Sequence, residues 1–121
     1  MAELGAIMTW TFTGETGIPN EIGEILVDGE VPEIAYKTIR DVAVITNKRI
    51  IIADKQGITG KKVEVYTIPF KSIVMYSSEN AGLLDFNAEL ELWTRAGKFK
   101  LNLNKGVDIR KLDRIIGKHI L

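Results

Sequence analysis

Apolar and polar residues alternate with the period of a β-strand over most of this chain. Six positions near the start, 8–13, alternate apolar with hydroxyl side chains before glycine and proline break the pattern. Further stretches of strand type, separated by turn-forming residues, predict seven strands at 33–40, 42–46, 49–54, 61–68, 73–78, 88–94 and 98–103. The chain is therefore predicted to be mainly β.

One turn near the middle of the chain predicts a tight hairpin. Asn47 and Lys48 separate two strands that are almost continuously apolar. Asparagine tolerates the positive φ that a two-residue turn requires. The strand that begins near residue 61 ends at Pro69, because proline cannot donate a hydrogen bond to a neighbouring strand.

The last two strands predict a second hairpin with one apolar face. A turn at 96–97 would place Leu92 opposite Leu101 in the core and Trp93 opposite Lys100 on the outer side. In this register the side chains on each face of the hairpin have compatible cross-strand neighbours.

Two segments have helical spacing. Asn20 is a candidate N-cap for a short helix that ends near 28–29. The final segment, 107–121, places its isoleucines and leucine on one face and its basic residues on the other, and Asp108 is its candidate N-cap. The chain is thus predicted to end in an amphipathic helix.

Seven short segments give the chain a resemblance to one family. They are IAYK at 34–37, IRD at 39–41, TNKR at 46–49, DKQG at 54–57, TGKK at 59–62, IPFKSI at 68–73 and GVDI at 106–109. The chain resembles the short, single-domain bacterial pleckstrin-homology (PH) domains. The resemblance implies a PH-like seven-stranded bent sheet or barrel, capped by one C-terminal amphipathic helix, over residues 31–121. It also implies homo-oligomers of ring type and an unassigned cellular role.

In this prediction residues 1–30 form an N-terminal segment whose charged residues are all acidic. The seven charged residues before Lys37 are all acidic, and all 16 Lys and Arg residues lie from Lys37 onward, against nine acids. The two parts therefore carry charges of about −7 and +7. Three explanations remain open: the segment docks on a neighbouring subunit, it docks on the basic body of its own domain, or it is a solvated acidic surface.

Two aromatic residues in this segment need cover from water. Trp10 and Phe12 precede the predicted PH-like domain, and leaving them exposed costs about 25 cal/mol for each Å² of apolar area. They pack either on their own domain or against a neighbouring subunit. Large apolar side chains of this kind often anchor the contact between subunits. They are therefore the candidate subunit-interface residues.

The sequence contains no recognisable catalytic, metal or cofactor site. There is no cysteine, and the single histidine, His119, lies in the last turn of the final helix, where a structural role is expected. The glycines at 57 and 60 are too close together for a phosphate-binding P-loop. Nucleic-acid binding is not expected of a chain with zero net charge and few exposed aromatic candidates.

A lipid-headgroup site has little support in the sequence. Phosphoinositide-binding PH domains have a long basic loop between their first two strands, whereas the loop here is about 39–42 and contains Asp41. We therefore expect no headgroup-specific binding. The basic residues near other turn ends either solvate the turns or hold an anion. As a candidate anion-binding site they are Lys48, Arg49, Lys61 and Lys62.

The sequence thus predicts a non-catalytic binding or self-assembling module without a cofactor. The alternative is a module that binds an anionic lipid headgroup or a phosphopeptide. The first residues lack the pattern of a secretory signal and no run of 18 apolar residues occurs, so we expect a cytoplasmic protein without stable membrane insertion.

Overall fold

The computed structural model describes residues 6, 8–56, 62–80 and 87–121. Within these ranges the chain forms nine strands, two 3₁₀ helices and one α-helix. The strands are β1 Met8–Phe12, β2 Gly14–Thr16, β3 Pro32–Lys37, β4 Asp41–Thr46, β5 Arg49–Gln56, β6 Lys62–Pro69, β7 Ile73–Glu79, β8 Ala88–Thr94 and β9 Gly97–Leu103. The 3₁₀ helices are Asn20–Glu24 and Phe70–Ser72, and the α-helix α1 is Ile109–Ile120.

The strands form two sheets. One sheet has the order β1-β9-β8-β7, and the other has the order β2-β3-β4-β5-β6. The seven strands predicted from the sequence are β3 to β9, followed by α1 as expected. The PH-like fold with its C-terminal helix is confirmed. The alternative of a closed barrel is not, because the strands are divided between two bent sheets.

The main core lies between the two sheets and receives side chains from α1. Alternation along the strands directs every second residue into this core, so that strands of both sheets fill it with aliphatic and aromatic groups. Among its fully buried side chains are Phe12, Tyr36, Leu90, Leu101, Leu112 and Ile116.

A second, smaller apolar cluster lies on the other face of the five-stranded sheet. Ile22, from the first 3₁₀ helix, packs there with Ala35, Val44 and Ile51, all of them buried. This contact explains why β4 and β5 are almost continuously apolar: they are buried on both faces.

The N-terminal residues belong to the fold rather than preceding it. β1 pairs in parallel with β9, with Trp10 opposite Leu101, and β2 pairs with β3. Trp10 is 6% exposed and Phe12 is fully buried in the core of this same chain. Phe12 stacks on Tyr36 at 5.0 Å. Of the two predicted alternatives, packing on the chain's own domain is what the structure has, and the prediction of a subunit interface at these residues is corrected.

Of the two predicted helix N-caps, Asp108 is confirmed and Asn20 is wrong. Asp108 caps α1 as predicted, because its Oδ1 accepts hydrogen bonds from the backbone nitrogens of Arg110 and Lys111. The predicted helix beginning at Asn20 is instead a five-residue 3₁₀ helix that follows Pro19 and has no side-chain cap. Ile22 is the only residue of this 3₁₀ helix that is buried against the sheet.

The hairpin between β4 and β5 forms as predicted, but not through a positive φ at Asn47. Within the described residues, only Gly29 and Gly97 have positive φ. The Thr46 hydroxyl stabilises the turn instead, since its oxygen accepts from the backbone nitrogens of Lys48 at 3.0 Å and Arg49 at 3.1 Å. The turn is thus stabilised by a side-chain acceptor rather than by a residue in the left-handed conformation.

The β8–β9 hairpin forms with a register two residues from the prediction. Trp93 lies opposite Lys98 rather than Lys100, and Leu92 lies opposite Phe99. Gly97 begins β9 with φ of 138°, so the turn occupies the two residues before it. The faces are as predicted, because a shift of two residues preserves them.

This register predicts a difference between two neighbouring positions. Leu92→Ala, at a fully buried site, should lower the free energy of unfolding by about 2 to 5 kcal/mol. The Lys98 ammonium lies 5.6 Å from the centroid of the Trp93 ring. Trp93→Ala should lower the free energy of unfolding by about 1 kcal/mol or less through loss of this cation–π contact, in addition to the loss of the apolar area that the ring covers. Urea denaturation of a double-mutant cycle should find coupling of Trp93 to Lys98 and little to Lys100. Coupling to Lys100 alone would contradict the register.

Candidate binding surfaces

A buried carboxylate, Glu30, joins the N-terminal segment to the β4–β5 turn. Its Oε2 accepts from Arg49 Nε at 2.8 Å and from the Thr46 hydroxyl at 2.7 Å. Its Oε1 accepts from Arg49 Nη2 at 2.9 Å and from the backbone nitrogen of Val27 at 3.1 Å. These contacts, the Arg49 hydrogen bonds above all, lower the pKa of Glu30 to about 2.

Arg49 uses its other donors within the same chain. Its Nη2 donates to the Ile25 carbonyl oxygen at 2.6 Å, and its Nη1 donates to the Thr67 hydroxyl at 3.1 Å. The guanidinium therefore lies between the N-terminal segment and β6 and compensates a buried charge. Arg49 is therefore not free to hold an external anion, although the sequence had made it a candidate for that role.

The described candidate anion-binding residues do not lie together. Lys48 and Arg49 lie in the β4–β5 turn and at the start of β5, whereas the backbone of Lys62 opens β6 beside the end of β5. The eight residues of β5 separate the backbone of Arg49 from that of Lys62 by roughly 25 Å at the usual rise of a strand. Lys61 and the side chain of Lys62 lie outside the described residues. The prediction of a single site built from all four is therefore corrected.

The acidic N-terminal residues dock on the basic helix of their own chain. Glu15 pairs with Lys111 at 3.1 Å, and Glu33 pairs with Lys118 at 3.0 Å. Together with Glu30, these contacts use much of the charge asymmetry inside the domain. Of the three explanations left open by the sequence, docking on the chain's own basic body is the one observed for these residues.

His119 has the structural role expected of it. Its Nε2 lies 3.0 Å from Glu33 Oε1, and its ring stacks on Phe70 with centroids 5.5 Å apart. Partial burial raises the pKa of Glu33, but hydrogen bonds from Lys118 and His119 outweigh it and leave the pKa below its usual value. The histidine therefore fastens α1 to β3 and to the second 3₁₀ helix.

Three carboxylates form a row across the five-stranded sheet, at the end nearest the β3–β4 connection. Asp41 is paired with Asp54, which is paired in turn with Glu64. Like charges on directly opposed residues repel, and this row gives that end of the sheet a negative charge. A hydrogen bond with Glu64 is the main cause that raises the pKa of the adjacent Tyr66 to about 12.

An open groove of about 660 Å³ lies where the two sheets approach each other beside the β8–β9 turn. It is bounded by the end of β6, the second 3₁₀ helix, the start of β7 and that turn. Its lining combines apolar and basic side chains, including Ile68, Pro69, Val74, Phe99, Lys71 and Arg95. The groove is not evident from the sequence, because its residues come from two stretches, 67–74 and 94–99, that are distant along the chain.

A second surface was also absent from the sequence analysis. We name residues 18–29 the acidic segment; it exposes three large aliphatic side chains, Ile18 at 40%, Ile25 at 36% and Val27 at 56%. The corresponding signal in the sequence is the helical spacing of Ile22, Ile25 and Leu26. In the structure Ile22 is buried, Leu26 is partly buried and Ile25 is exposed.

A family model for the bacterial PH domain matches residues 3–120 of the chain. The chain belongs to the bacterial PH domain family. The match includes the N-terminal strands, in agreement with their pairing to both sheets.

Two relatives of this bacterial PH domain are named as uncharacterized proteins. It is 50% identical to the uncharacterized protein YjqA of Bacillus subtilis over 76 residues, which cover 63% of this chain and 61% of YjqA. It is 36% identical to the uncharacterized protein YozO of the same organism, over 79% of this chain and 83% of YozO. The fold is shared with a crystal structure of a DUF1696 family protein with a PH domain from Shewanella loihica, with a TM-score of 0.77, 38% identity and coverage of 89% and 97% of the two chains.

The Glu30 contact predicts a specific loss of stability in acid. Because the pKa of Glu30 is about 2 in the folded chain against 4.5 for the ordinary group, the unfolded state binds the proton more readily. Its contribution, about 3 kcal/mol, is complete above pH 4.5 and is lost as the pH falls toward 2. Urea denaturation between pH 2.5 and 7 should measure a steeper pH dependence for the wild type than for Glu30→Gln. Equal slopes would contradict this role.

The acidic row predicts that this PH domain does not recognise phosphoinositide headgroups. Asp41, Asp54 and Glu64 repel phosphate beside the short β3–β4 connection. Any attraction to anionic membranes should follow total charge and vanish at physiological salt, where the Debye length is about 8 Å. Vesicle sedimentation should compare phosphoinositide with phosphatidylserine vesicles of equal charge. Retention on the phosphoinositide alone, at that salt, would contradict the prediction.

Proposed function

We propose that this bacterial PH domain is a non-catalytic module that acts by binding copies of itself. The observation that carries the proposal is the acidic segment, whose exposed aliphatic side chains lie close together in sequence. Single exposed apolar residues are ordinary on protein surfaces, but a cluster of them favours a contact with another protein. Burial of such side chains is favourable by about 25 cal/mol per Å².

Two further observations support a non-catalytic role. His119, the only histidine, is engaged with Glu33 and Phe70. Arg49, which is more buried than Lys48, compensates the charge of Glu30. The contacts of Arg49, and its separation from the backbone of Lys62 along β5, argue against the alternative of an anionic-ligand module.

The location of the protein remains a prediction from its sequence. No helix in the described part of the chain has both the length and the apolar character needed to cross a bilayer. A cytoplasmic location and ring-type closure of the oligomer are proposals that follow from the sequence and the family resemblance.

Self-association can be measured directly as a mass. In low salt at micromolar concentration, light scattering of the full chain should give a multiple of the 13.5 kDa chain mass. Val27→Glu, which places a charge among the exposed aliphatic groups, should lower that mass. Ile39→Glu is the matched control, because Ile39 is 87% exposed on the β3–β4 connection, outside the acidic segment. A single-chain mass for the wild type would overturn the proposal.

A further inference from the structure

The groove beside the β8–β9 turn has two basic side chains close to each other. Ile73 at the start of β7 lies opposite Thr94 at the end of β8. Lys71 lies just before Ile73 in the chain, Arg95 directly follows Thr94, and both basic side chains line the groove. The two positive charges therefore lie at the same end of the β7–β8 pairing.

No acidic side chain in the described part of the chain balances these two charges. Lys71 and Arg95 are exposed, and neither forms an ion pair with a described residue. The described residues that line the groove include no aspartate or glutamate. Two neighbouring cations in such a setting favour an anion from outside the chain, because the guanidinium and the ammonium can both donate charge-assisted hydrogen bonds to it.

The other walls of the groove are mainly apolar. Ile68 belongs to the main core and Phe99 packs against it, whereas Val74 is 68% exposed. An alkyl chain that lies along these three side chains would remove their remaining apolar area from water, which is favourable. The groove therefore combines a cationic part with an apolar part.

Hydrogen bonds within the chain hold two parts of the lining in place. The Ser72 hydroxyl donates to the Pro69 carbonyl oxygen at 2.7 Å. The Thr94 hydroxyl donates to the Gly97 carbonyl oxygen at 2.9 Å and accepts from the backbone nitrogen of Ala96 at 3.1 Å. These contacts fix the second 3₁₀ helix and the β8–β9 turn before a ligand enters, which reduces the entropic cost of binding.

We propose that the groove binds a medium-chain fatty acid, with its carboxylate between Lys71 and Arg95 and its alkyl chain along Ile68, Val74 and Phe99. A single anionic head on an apolar chain matches a groove with two neighbouring cations and otherwise mainly apolar walls. The volume of the groove, about 660 Å³, lies within the range of small-molecule sites.

This ligand site is distinct from the surfaces considered above. Neither Lys48 nor Arg49, the described basic candidates from the sequence, lines the groove. The exposed aliphatic side chains of the acidic segment do not line it either. Fatty-acid binding therefore does not depend on the proposed self-association, and a single-chain mass would leave it unchanged.

A series of carboxylates of different length tests the alkyl contact. Isothermal titration calorimetry of the full chain with hexanoate, octanoate and decanoate should give dissociation constants that fall about three- to fourfold for each added methylene. Octanol and protonated octylamine carry a similar chain without the anionic head, and each should bind at least about tenfold more weakly than octanoate. Equal affinity for all three carboxylates, or no binding of decanoate at millimolar concentration, would overturn the proposal.

Charge reversal tests the contact with the carboxylate. Lys71→Glu and Arg95→Glu should each weaken decanoate binding at least about tenfold, because a charge-assisted hydrogen bond is replaced by repulsion. Lys37→Glu is the matched control and should keep the wild-type affinity, because Lys37 is also exposed, lines no part of the groove and forms no ion pair with the described residues. Wild-type affinity in both groove variants would place the fatty acid elsewhere, and an equal loss in the control would reduce the contact to long-range attraction. Either result would overturn the proposal.

Two neighbouring positions of β7 test where the alkyl chain lies. Val74 and Met75 are both exposed, at 68% and 54%, but only Val74 lines the groove. Val74→Ser should weaken decanoate binding at least about threefold, whereas Met75→Ser should leave it unchanged. Far-UV circular dichroism should show that both variants are folded. Equal affinities of the two variants would contradict the placement of the chain along this wall.

Discussion

The structure depends most on the pairing of Glu30 with Arg49. It places a buried carboxylate beside the β4–β5 turn and holds the C-terminal part of the acidic segment, through Val27 and Ile25. The segment in turn holds Ile22 against the outer face of the five-stranded sheet. Removal of one partner from a buried ion pair costs roughly 3–5 kcal/mol, because the other charge remains uncompensated.

Several of the N-terminal acids form ion pairs with basic residues of the same chain. Glu15 and Glu33 attach β2 and β3 to α1, and exposed ion pairs of this kind contribute about 0–1 kcal/mol each. Their value lies in orientation, since they place the helix over the core that Leu112 and Ile116 complete. Among the acids of the N-terminal segment, Glu21, Glu24 and Asp28 form no ion pair with the described residues, and they lie in the same stretch as the exposed aliphatic groups.

Membership in the bacterial PH domain family establishes the fold but not a ligand. The sheet end beside the β3–β4 connection carries Asp41, Asp54 and Glu64 in a row.

The sequence by itself determined the strands, their faces and the final helix, because hydrophobic period and capping are local properties. The β8–β9 hairpin illustrates the limit: its faces were predicted correctly, but Trp93 meets Lys98 because the turn geometry moved the register by two residues. Only the tertiary structure decided the parallel pairing of β1 with β9 and the burial of Trp10, Phe12 and Glu30. These depend on partners distant in sequence, and no periodic pattern specifies which distant partner a side chain meets.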